Sequence, residues 1–376
     1  MQRLLEPISL QSSAASSPSP EADKDVPTTA SKAAVRRAGE ALRKCDSLTE
    51  AEYKEAMSVV SSWRSMHLRP MRTIHALVER KINALGLKRT IVASRVKRTP
   101  SIVAKLTRFP DMGLQRMQDI AGVRAVLSNV DDVRRLHAAI MDGRRRQLPV
   151  IAPKDYIANP KPDGYRGIHQ VIKYHSGSPR YEASSGLQVE IQIRSSLQHY
   201  WATAVETLGL IEKSSFKTGI GDERFKQFFR LGSALFSIRE KQPIVESLRD
   251  KTPREIVSEC MALEKELSVF EKLSAFTSAI SVVSGVPGQS NDALYLIMLD
   301  SAAGTVSWVP FARAQQAIAE ELYTMIEMKE KQNPLVDVVL ASAKDMRDLK
   351  LAYPNYFIDT RAFILSLKAT CKDCGR

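Results

Sequence analysis

Two acidic side chains stand in this sequence where they could act on one metal ion. In the stretch VEIQIR, alternate residues of an extended strand point to opposite faces, so Glu190, Gln192 and Arg194 would share a polar face. Asp119 opens a second strand-like stretch, DIAGVRAV. If the strands are neighbours, Asp119 and Glu190 can bind one divalent cation, since Mg²⁺ favours one or two carboxylates completed by water and phosphate oxygens. Such a site suits phosphoryl transfer, although VEIQIR alone could also be a strand facing solvent.

A cluster of basic residues precedes DIAGVRAV. In SRVKRTPSIVAKLTRF, Ser101, Lys105 and Arg108 are four and three residues apart, so they would share one face of a helix. Arg95 and Lys97 come just before that helix. Several cations that converge from one segment suit a triphosphate better than a single ion pair. An exposed basic helix is the plainer alternative.

The loop KPDGYRGIH places an aromatic ring among several polar groups. Gly164 permits a tight backbone turn before Tyr165, and Lys161 and His169 lie on either side in the chain. A base stacked on such a ring gains roughly 1–3 kcal/mol whatever its identity. The loop is therefore a candidate platform for a nucleoside, although a loop tyrosine can also pack on the core.

The elements around these residues predict an α/β (α+β) fold, a mixed sheet flanked by helices. Apolar residues recur at helical spacing through about residues 31–88 and again through about 222–283. Strand-like stretches lie between these two helical regions. The last third combines NDALYLIMLDSAAGTVSWVPF, a helical stretch and the strand-like VDVVLASA, which predicts a second, small α+β domain.

The charge predicts a polyanionic partner. The chain has 376 residues and a formal net charge of +13, which favours binding to nucleic acid. The expected contact surface is the basic N-terminal helices, with Arg36, Arg37, Arg43 and Lys44. No apolar run is long enough to predict a membrane span.

The cysteines predict a reducing compartment. Four cysteines in 376 residues are too few and too scattered for a disulfide framework, so a cytoplasmic protein is expected. Cys371 and Cys374 form the terminal CKDC, which supplies only half of a four-ligand zinc site. Whether they bind metal stays open at this point.

In their order along the chain, these stretches resemble one known family. R-x-K…S…K..R, DIAGVR, DYIANPKPDGYRGIH and VEIQIR…WA..E are similar to the synthetase domain of RelA/SpoT-type alarmone enzymes, especially the small single-domain ones. The resemblance covers about residues 60–215. It implies a nucleotidyltransferase-like synthetase domain and a pyrophosphokinase, which transfers the β,γ-pyrophosphate of ATP to the 3′-hydroxyl of an acceptor nucleotide and releases AMP.

The resemblance also implies roles for individual residues. Asp119 and Glu190 would hold Mg²⁺, and Glu190 would also act as the general base on the 3′-hydroxyl. The residues that would bind the donor ATP are Arg95, Lys97, Ser101, Lys105, Arg108 and Arg124. Of these, Arg95 and Arg124 would sandwich the adenine, and the others would hold the phosphates. The residues that would bind the acceptor are Lys154, Lys161, Tyr165, His169, Gln192 and His199.

Three departures from the family pattern concern the acceptor half of the site. Gly167 replaces the usual serine after Gly-Tyr-Arg, and Lys154 replaces the usual arginine before DYIAN. Thr207 stands where a histidine usually follows glutamate. The acceptor is therefore expected to differ from GTP or GDP.

The C-terminal YPNY, Tyr353 to Tyr356, suggests a more specific resemblance. It is similar to the Tyr-x-x-Tyr element of CapRel-type fused toxin–antitoxin proteins, in which a pseudo-zinc-finger domain blocks the ATP site of a toxic synthetase. Those toxins modify the 3′ end of tRNA and act in phage defence. The resemblance implies that Tyr353 and Tyr356 are autoinhibitory, that tRNA is the acceptor and that a phage protein is the trigger. A turn carrying two core tyrosines is the alternative.

These resemblances predict four parts of the chain. They are a disordered leader (1–30), a pyrophosphokinase domain with N-terminal helices (31–220), a helical linker (221–285) and an antitoxin-like domain (286–376). The alternative function is an alarmone synthetase that uses GTP or GDP, with a regulatory C-terminal domain. A catalytically inactive RNA-binding protein is a third interpretation, disfavoured by the retained carboxylates Asp119 and Glu190.

Overall fold

The computed structural model of the chain describes most of the residues named above. The described residues are 30–44, 47–142, 148–151, 153–212, 221–279, 281–283, 293–300, 302–330, 333, 336–343, 346–353 and 360–375. The predicted leader, apart from residue 30, lies outside them, as do Tyr356 and the boundary at 285–286.

The described strands form one mixed sheet. In chain order they are β1 (Ile91–Val96), β2 (Ala121–Leu127), β3 (Lys154–Asp155), β4 (Ile168–Lys173), β5 (Gln188–Ser195), β6 (Ser281–Val283), β7 (Ala293–Asp300), β8 (Thr305–Phe311) and β9 (Val336–Ala343). Their order across the sheet is β3-β4-β5-β2-β1-β9-β7-β8-β6. β2 and β5 run parallel, whereas β1 is antiparallel to both of its neighbours, β2 and β9.

Helices connect and cover these strands. In chain order they are α1 (Lys32–Leu42), α2 (Glu50–Ala84), α3 (Thr99–Arg108), α4 (Val130–Asp142), α5 (Ser196–Ile211), α6 (Glu223–Arg239), α7 (Pro253–Leu267), α8 (Val269–Ala279), α9 (Gln316–Lys329), α10 (Met346–Ala352) and α11 (Arg361–Cys374). Several starts follow from side-chain capping. Thr49 and Thr252 each form a reciprocal capping box with the glutamate three residues on.

Pro70 lies inside the long helix α2 instead of ending it. A proline removes the N–H that would bond to the carbonyl four residues earlier, here that of Met66. The hydroxyl of Ser184 donates to this carbonyl at 3.2 Å. The lost hydrogen bond is thus replaced from outside the helix, and α2 continues to Ala84.

The C-terminal strands extend the sheet of the N-terminal part. Ser94 of β1 pairs with Ser342 of β9, and Arg95 pairs with Ala341. β1 would otherwise be an edge strand with unpaired backbone groups. The two predicted domains therefore share one continuous sheet.

Helices pack on both faces of this sheet. Leu294 and Leu296 of β7 join a core with α2, α4 and α9, whereas the alternating Tyr295 and Ile297 join a core with α10 on the opposite face. A third core gathers aromatic side chains of α5, α6, α8 and α11, among them Phe363. The segment predicted as a helical linker thus contributes to a packed helical layer.

The predicted mixed sheet flanked by helices is confirmed. The domain boundaries stay a prediction. No helix in the described ranges is both long enough and apolar enough to cross a membrane.

Candidate active site

The parallel pair β2 and β5 brings the two predicted acidic stretches together. Gly122 pairs with Glu190, and Arg124 pairs with Gln192. A cleft with about 500 Å³ of open space lies at this place. The predicted residues in its lining are Arg95, Lys97, Ser101, Asp119, Arg124, Glu190 and Gln192. The expectation that both carboxylates reach one cleft is therefore met.

Asp119 is held by two lysines of the basic cluster. Lys97 Nζ and Lys105 Nζ each lie 2.8 Å from one of its carboxylate oxygens. Burial alone would raise the pKa of Asp119, but the two ammonium groups hold that pKa below its ordinary value. Asp119 is thus an ionised carboxylate whose two partners are the same cations that could bind a triphosphate.

Glu190 is also ionised, and each of its carboxylate oxygens accepts a hydrogen bond. His169 Nδ1 donates to Oε1 at 2.9 Å, and Gln192 Nε2 donates to Oε2 at 2.7 Å. Burial opposes ionisation, yet these hydrogen bonds and the charge of His169 lower the pKa of Glu190 to about 2. The carboxylate is therefore oriented by two side chains of the predicted acceptor set.

Tyr165 is buried, contrary to the expected open platform. Its side chain is 8% exposed, and its ring meets Trp201 edge-on at 6.4 Å. Its hydroxyl lies 2.5 Å from His169 Nε2 and accepts a hydrogen bond from Arg194 Nη2 at 2.8 Å. These polar contacts draw the ring inward. A hydrogen-bonded chain thus runs from Arg194 through Tyr165 and His169 to Glu190.

Tyr156 is the more exposed ring at this place. It meets the rings of Tyr165 and His169 edge-on, at 5.9 and 5.3 Å. Lys161 Nζ lies 4.5 Å from the Tyr156 ring centroid and 5.0 Å from that of Tyr165. Two tyrosines and a cation therefore form one cluster beside Glu190.

Gly164 allows the loop to approach helix α6 closely. Its φ is +92°, and an added Cβ would lie 3.0 Å from Cβ of Ser233 and 3.3 Å from Cα of Arg230. Only glycine adopts such a conformation readily. The glycine that the sequence placed before Tyr165 is thus needed for both the turn and the packing.

Tyr353, from the C-terminal part, lines the same cleft. Its ring centroid lies 5.5 Å from Cζ of Arg95 and 5.3 Å from Cζ of Arg124. Tyr353 is 1% exposed, and both guanidiniums belong to the predicted donor set. An aromatic ring of the chain itself therefore occupies the place expected for the donor's base.

The end of helix α10 is held by two side chains of the N-terminal part. Arg124 Nη1 donates to the carbonyl of Ala352, and His199 Nε2 donates to that of Leu351, each at 2.8 Å. The last carbonyls of a helix lack internal partners and attract cations. His199, predicted to bind the acceptor, thus contacts the segment that carries Tyr353.

Burial and like charges lower the pKa values of these groups. The pKa of Arg124 is about 10, because of its burial and the neighbouring Arg194 and Arg95. The pKa of His199 is about 3, because of its burial and the charges of Arg124 and Arg194. His199 is therefore neutral at physiological pH, and the region carries excess positive charge.

Two predicted residues lie at the margin of the site. Arg108 is exposed at the last turn of α3, with its guanidinium carbon 4.7 Å from the Phe109 ring centroid. Lys154 is exposed on β3, where it pairs with His169 of β4. The sequence did not predict Tyr156 as a site residue, although it lies in the stretch DYIAN just before the loop KPDGYRGIH.

The residues present fit a magnesium ion that substrate phosphates would help to bind. Asp119 and Glu190 line one cleft. The ammonium groups of Lys97 and Lys105 neutralise Asp119 in this structure, as a bound metal cation would. No group of three or more His, Cys, Asp or Glu side chains converges as a metal site within the described ranges. Cys371 instead packs in the aromatic core of the helical layer, together with Cys260.

Comparison with known proteins identifies the central part of the chain. Residues 94–217 match the region found in RelA / SpoT proteins. The Bacillus subtilis GTP pyrophosphokinase YjbM is 36% identical over 119 residues, which are 31% of this chain and 54% of YjbM. The Bacillus subtilis GTP pyrophosphokinase YwaC is 35% identical over 117 residues, 29% of this chain and 53% of YwaC. The chain spans about half the length of these curated relatives.

A solved structure is similar to about half of the chain. The small alarmone synthetase 1 from Bacillus subtilis is 26% identical, with a TM-score of 0.41, and the match covers 48% of this chain and 91% of that one. The matched region, residues 94–217, contains both carboxylates and the cation cluster. Through residues 94–217, the chain is therefore similar to the proteins that carry the RelA/SpoT region.

Proposed function

We propose that the protein is an ATP-dependent pyrophosphokinase that transfers the β,γ-pyrophosphate of ATP to a 3′-hydroxyl. The observation that carries this proposal is the single cleft lined by Asp119, Glu190 and the basic residues Arg95, Lys97 and Arg124. The names of the curated relatives, both GTP pyrophosphokinases, support the reaction class.

In the proposed reaction, a bond forms between the 3′-oxygen and the β-phosphorus of ATP. The bond between that phosphorus and the oxygen bridging to the α-phosphate breaks, and AMP leaves. Glu190 takes the proton of the hydroxyl, which general base catalysis requires to lie within hydrogen-bond distance of the carboxylate. Its pKa of about 2 keeps it ionised but also makes it a weak base, so the hydrogen bonds from His169 and Gln192 must loosen before it accepts that proton.

The basic cluster exchanges partners when the donor binds. Lys97 and Lys105, now on Asp119, would turn to the triphosphate, which leaves Asp119 and Glu190 to hold the metal. Bound Mg²⁺ would neutralise charge on the phosphate oxygens during transfer. Arg95 and Arg124 would bind the adenine in the place of Tyr353.

The proposed activity is inhibited by the protein's own C-terminal part. Tyr353 and the donor's base would compete for the same two guanidiniums, so ATP binds only when this segment withdraws. The hydrogen bonds from Arg124 and His199 to the end of α10 support the closed arrangement. A trigger must bind the open form preferentially in order to shift the equilibrium, and a phage protein is the trigger we propose. Tyr356 remains part of the proposal from sequence alone.

The 3′ end of tRNA is the acceptor we propose, in the cytoplasm and as part of phage defence. The support is the altered acceptor half of the site at Lys154, Gly167 and Thr207, together with the net charge of +13. Arg37 and Lys44 are exposed near the N-terminus, whereas Arg43 donates to two backbone carbonyls of the protein itself. The contribution of α1 and the residues just after it to tRNA binding is therefore expected from Arg37 and Lys44.

A guanosine nucleotide is the second candidate acceptor. It is favoured by the names of YjbM and YwaC, both GTP pyrophosphokinases, which are 36% and 35% identical over the matched part. In that case the C-terminal part would regulate an alarmone synthetase.

One assay tests reaction and acceptor together. The full chain and its Tyr353→Ala variant are incubated with γ-labelled ATP and either tRNA, GTP or GDP, with Glu190→Gln as the inactive control. We expect label on tRNA, more with Tyr353→Ala than with the full chain, and none with Glu190→Gln. Label on guanosine nucleotides alone would refute the tRNA acceptor. No transfer to any acceptor by Tyr353→Ala would refute the pyrophosphokinase.

A further inference from the structure

Glu327 of helix α9 is buried against α2 and the start of α3. Its carboxylate accepts hydrogen bonds from Arg64 Nη1 at 2.7 Å, from the Thr99 amide at 3.0 Å and from the Thr99 hydroxyl at 2.9 Å. The side chains of Arg64 and Glu327 are only 4% and 5% exposed. Three donors from α2 and from the first residue of α3 thus converge on one carboxylate from the C-terminal part.

The first turn of α3 is suited to an anion. The amide groups of a helix N-terminus lack internal partners, and the helix dipole favours negative charge there. The residue that precedes the helix, Arg98, provides no side-chain cap. The carboxylate of Glu327 therefore takes the position that a phosphate oxygen could take.

Arg64 retains one unused donor at this place. Arg64 is 3% exposed, and its Nη2 finds no hydrogen-bond acceptor among the described residues. A guanidinium commonly bonds to phosphate through two parallel N–H donors. Arg64 contacts Glu327, Thr99 and Tyr323 through Nη1 only. The oxygens of Glu327 are in turn shared with Thr99 and with the hydroxyl of Tyr323. A tetrahedral phosphate offers more oxygens than this shared carboxylate does.

The same corner adjoins the donor cleft. Lys97 and Ser101, each two residues from Thr99 in the chain, line that cleft. Asp337 of β9 forms an ion pair with Arg98. Two carboxylates of the C-terminal part thus cover cationic groups beside the proposed ATP site.

We propose that Arg64 and the first turn of α3 form a phosphate-binding subsite, which Glu327 occupies in this structure. When α9 withdraws, a phosphate group of a nucleotide or of a polynucleotide takes the place of the carboxylate. The identity of the compound that supplies the phosphate rests on the proposed function. The charge competition itself depends on Arg64, Thr99 and Glu327.

The test is the full chain with Glu327→Gln, which keeps the shape of the side chain and removes its charge. Calorimetric titrations use inorganic pyrophosphate, ATP or a short single-stranded RNA. We expect Glu327→Gln to bind pyrophosphate about tenfold more tightly than the unchanged chain. The matched control is Glu321→Gln, an exposed residue of the same helix, for which no gain is expected. A gain extending to ATP identifies a nucleotide phosphate, and a gain extending to RNA identifies a polynucleotide.

A second variant ties the gain to the subsite. Arg64→Met in the Glu327→Gln background should abolish the gain, and Thr99→Val in that background serves if Arg64→Met does not fold. Unchanged pyrophosphate affinity in Glu327→Gln, or a gain that survives the second variant, overturns the proposal. A chain that binds pyrophosphate as expected but transfers no label keeps the subsite and loses the proposed activity.

Discussion

The ring of Tyr353 lies 5.3 Å from the guanidinium carbon of Arg124, and the same guanidinium donates to the carbonyl just before Tyr353 in the chain. Cation and ring attract each other most where water is excluded, and Tyr353 is 1% exposed. One arginine therefore contacts both the side chain and the backbone of the segment that carries Tyr353 into the lining of the cleft.

Replacing Tyr353 by Ala should strengthen ATP binding. The variant removes the ring from Arg95 and Arg124 but leaves the hydrogen bonds to the end of α10. An estimate of about 1–2 kcal/mol for a desolvated cation–π contact corresponds to roughly a tenfold lower Kd for ATP, measurable by titration with a non-hydrolysable analogue.

A point substitution tests this better than a deletion of the C-terminal part. Deletion would remove β9 and leave the backbone groups of β1 unpaired, which invites aggregation. Tyr174→Phe, at a buried tyrosine that belongs to neither proposed site, is a suitable control. Equal ATP affinity in Tyr353→Ala and the unchanged chain would contradict the blocking role.

The local patterns predicted the site better than they predicted its surroundings. The alternation in VEIQIR placed Val189 and Ile191 inside and Glu190 in the cleft, as observed. The pairing of β1 with β9 joins residues about 250 positions apart, and neither strand's own sequence specifies its neighbour at an edge. The burial of Tyr165 likewise depends on Trp201 and Arg194, which only the folded chain brings to it.

Replacing Glu190 by Gln should abolish transfer while the fold persists. A positioned general base contributes about 10²–10⁴-fold to a rate, so label transfer should fall by at least 100-fold. Glu246→Gln, at an exposed glutamate far along the chain, should leave the rate unchanged. Circular dichroism checks that both variants are folded, and substantial transfer by Glu190→Gln would remove Glu190 from the base role.

Stability should fall as the pH drops below about 6.5, partly through His199. Its pKa of about 3 in the folded protein is below the ordinary 6.5, so the unfolded chain binds its proton first. The stability that neutral His199 contributes to the fold is fully present above pH 6.5 and is lost as the pH falls towards 3. His67, with a pKa of about 4, acts in the same direction. The free energy of unfolding, measured with denaturant at several pH values, should therefore fall less steeply between pH 6.5 and 4 in His199→Gln than in the unchanged chain. Equal slopes would contradict this role of His199.

Restoring the family's usual serine at Gly167 should destabilise this protein. Gly167 has φ +152°, and an added Cβ would lie 3.2 Å from Cγ of Arg194, whose guanidinium bonds to Tyr165. Such backbone strain costs about 1–3 kcal/mol. Gly86→Ser is the control, because Gly86 also has a positive φ, +63°, but no atom lies within 4 Å of an added Cβ. If denaturant unfolding shows a clearly larger loss for Gly167→Ser, the glycine is required by the packing around Arg194; equal losses would leave acceptor choice as its explanation.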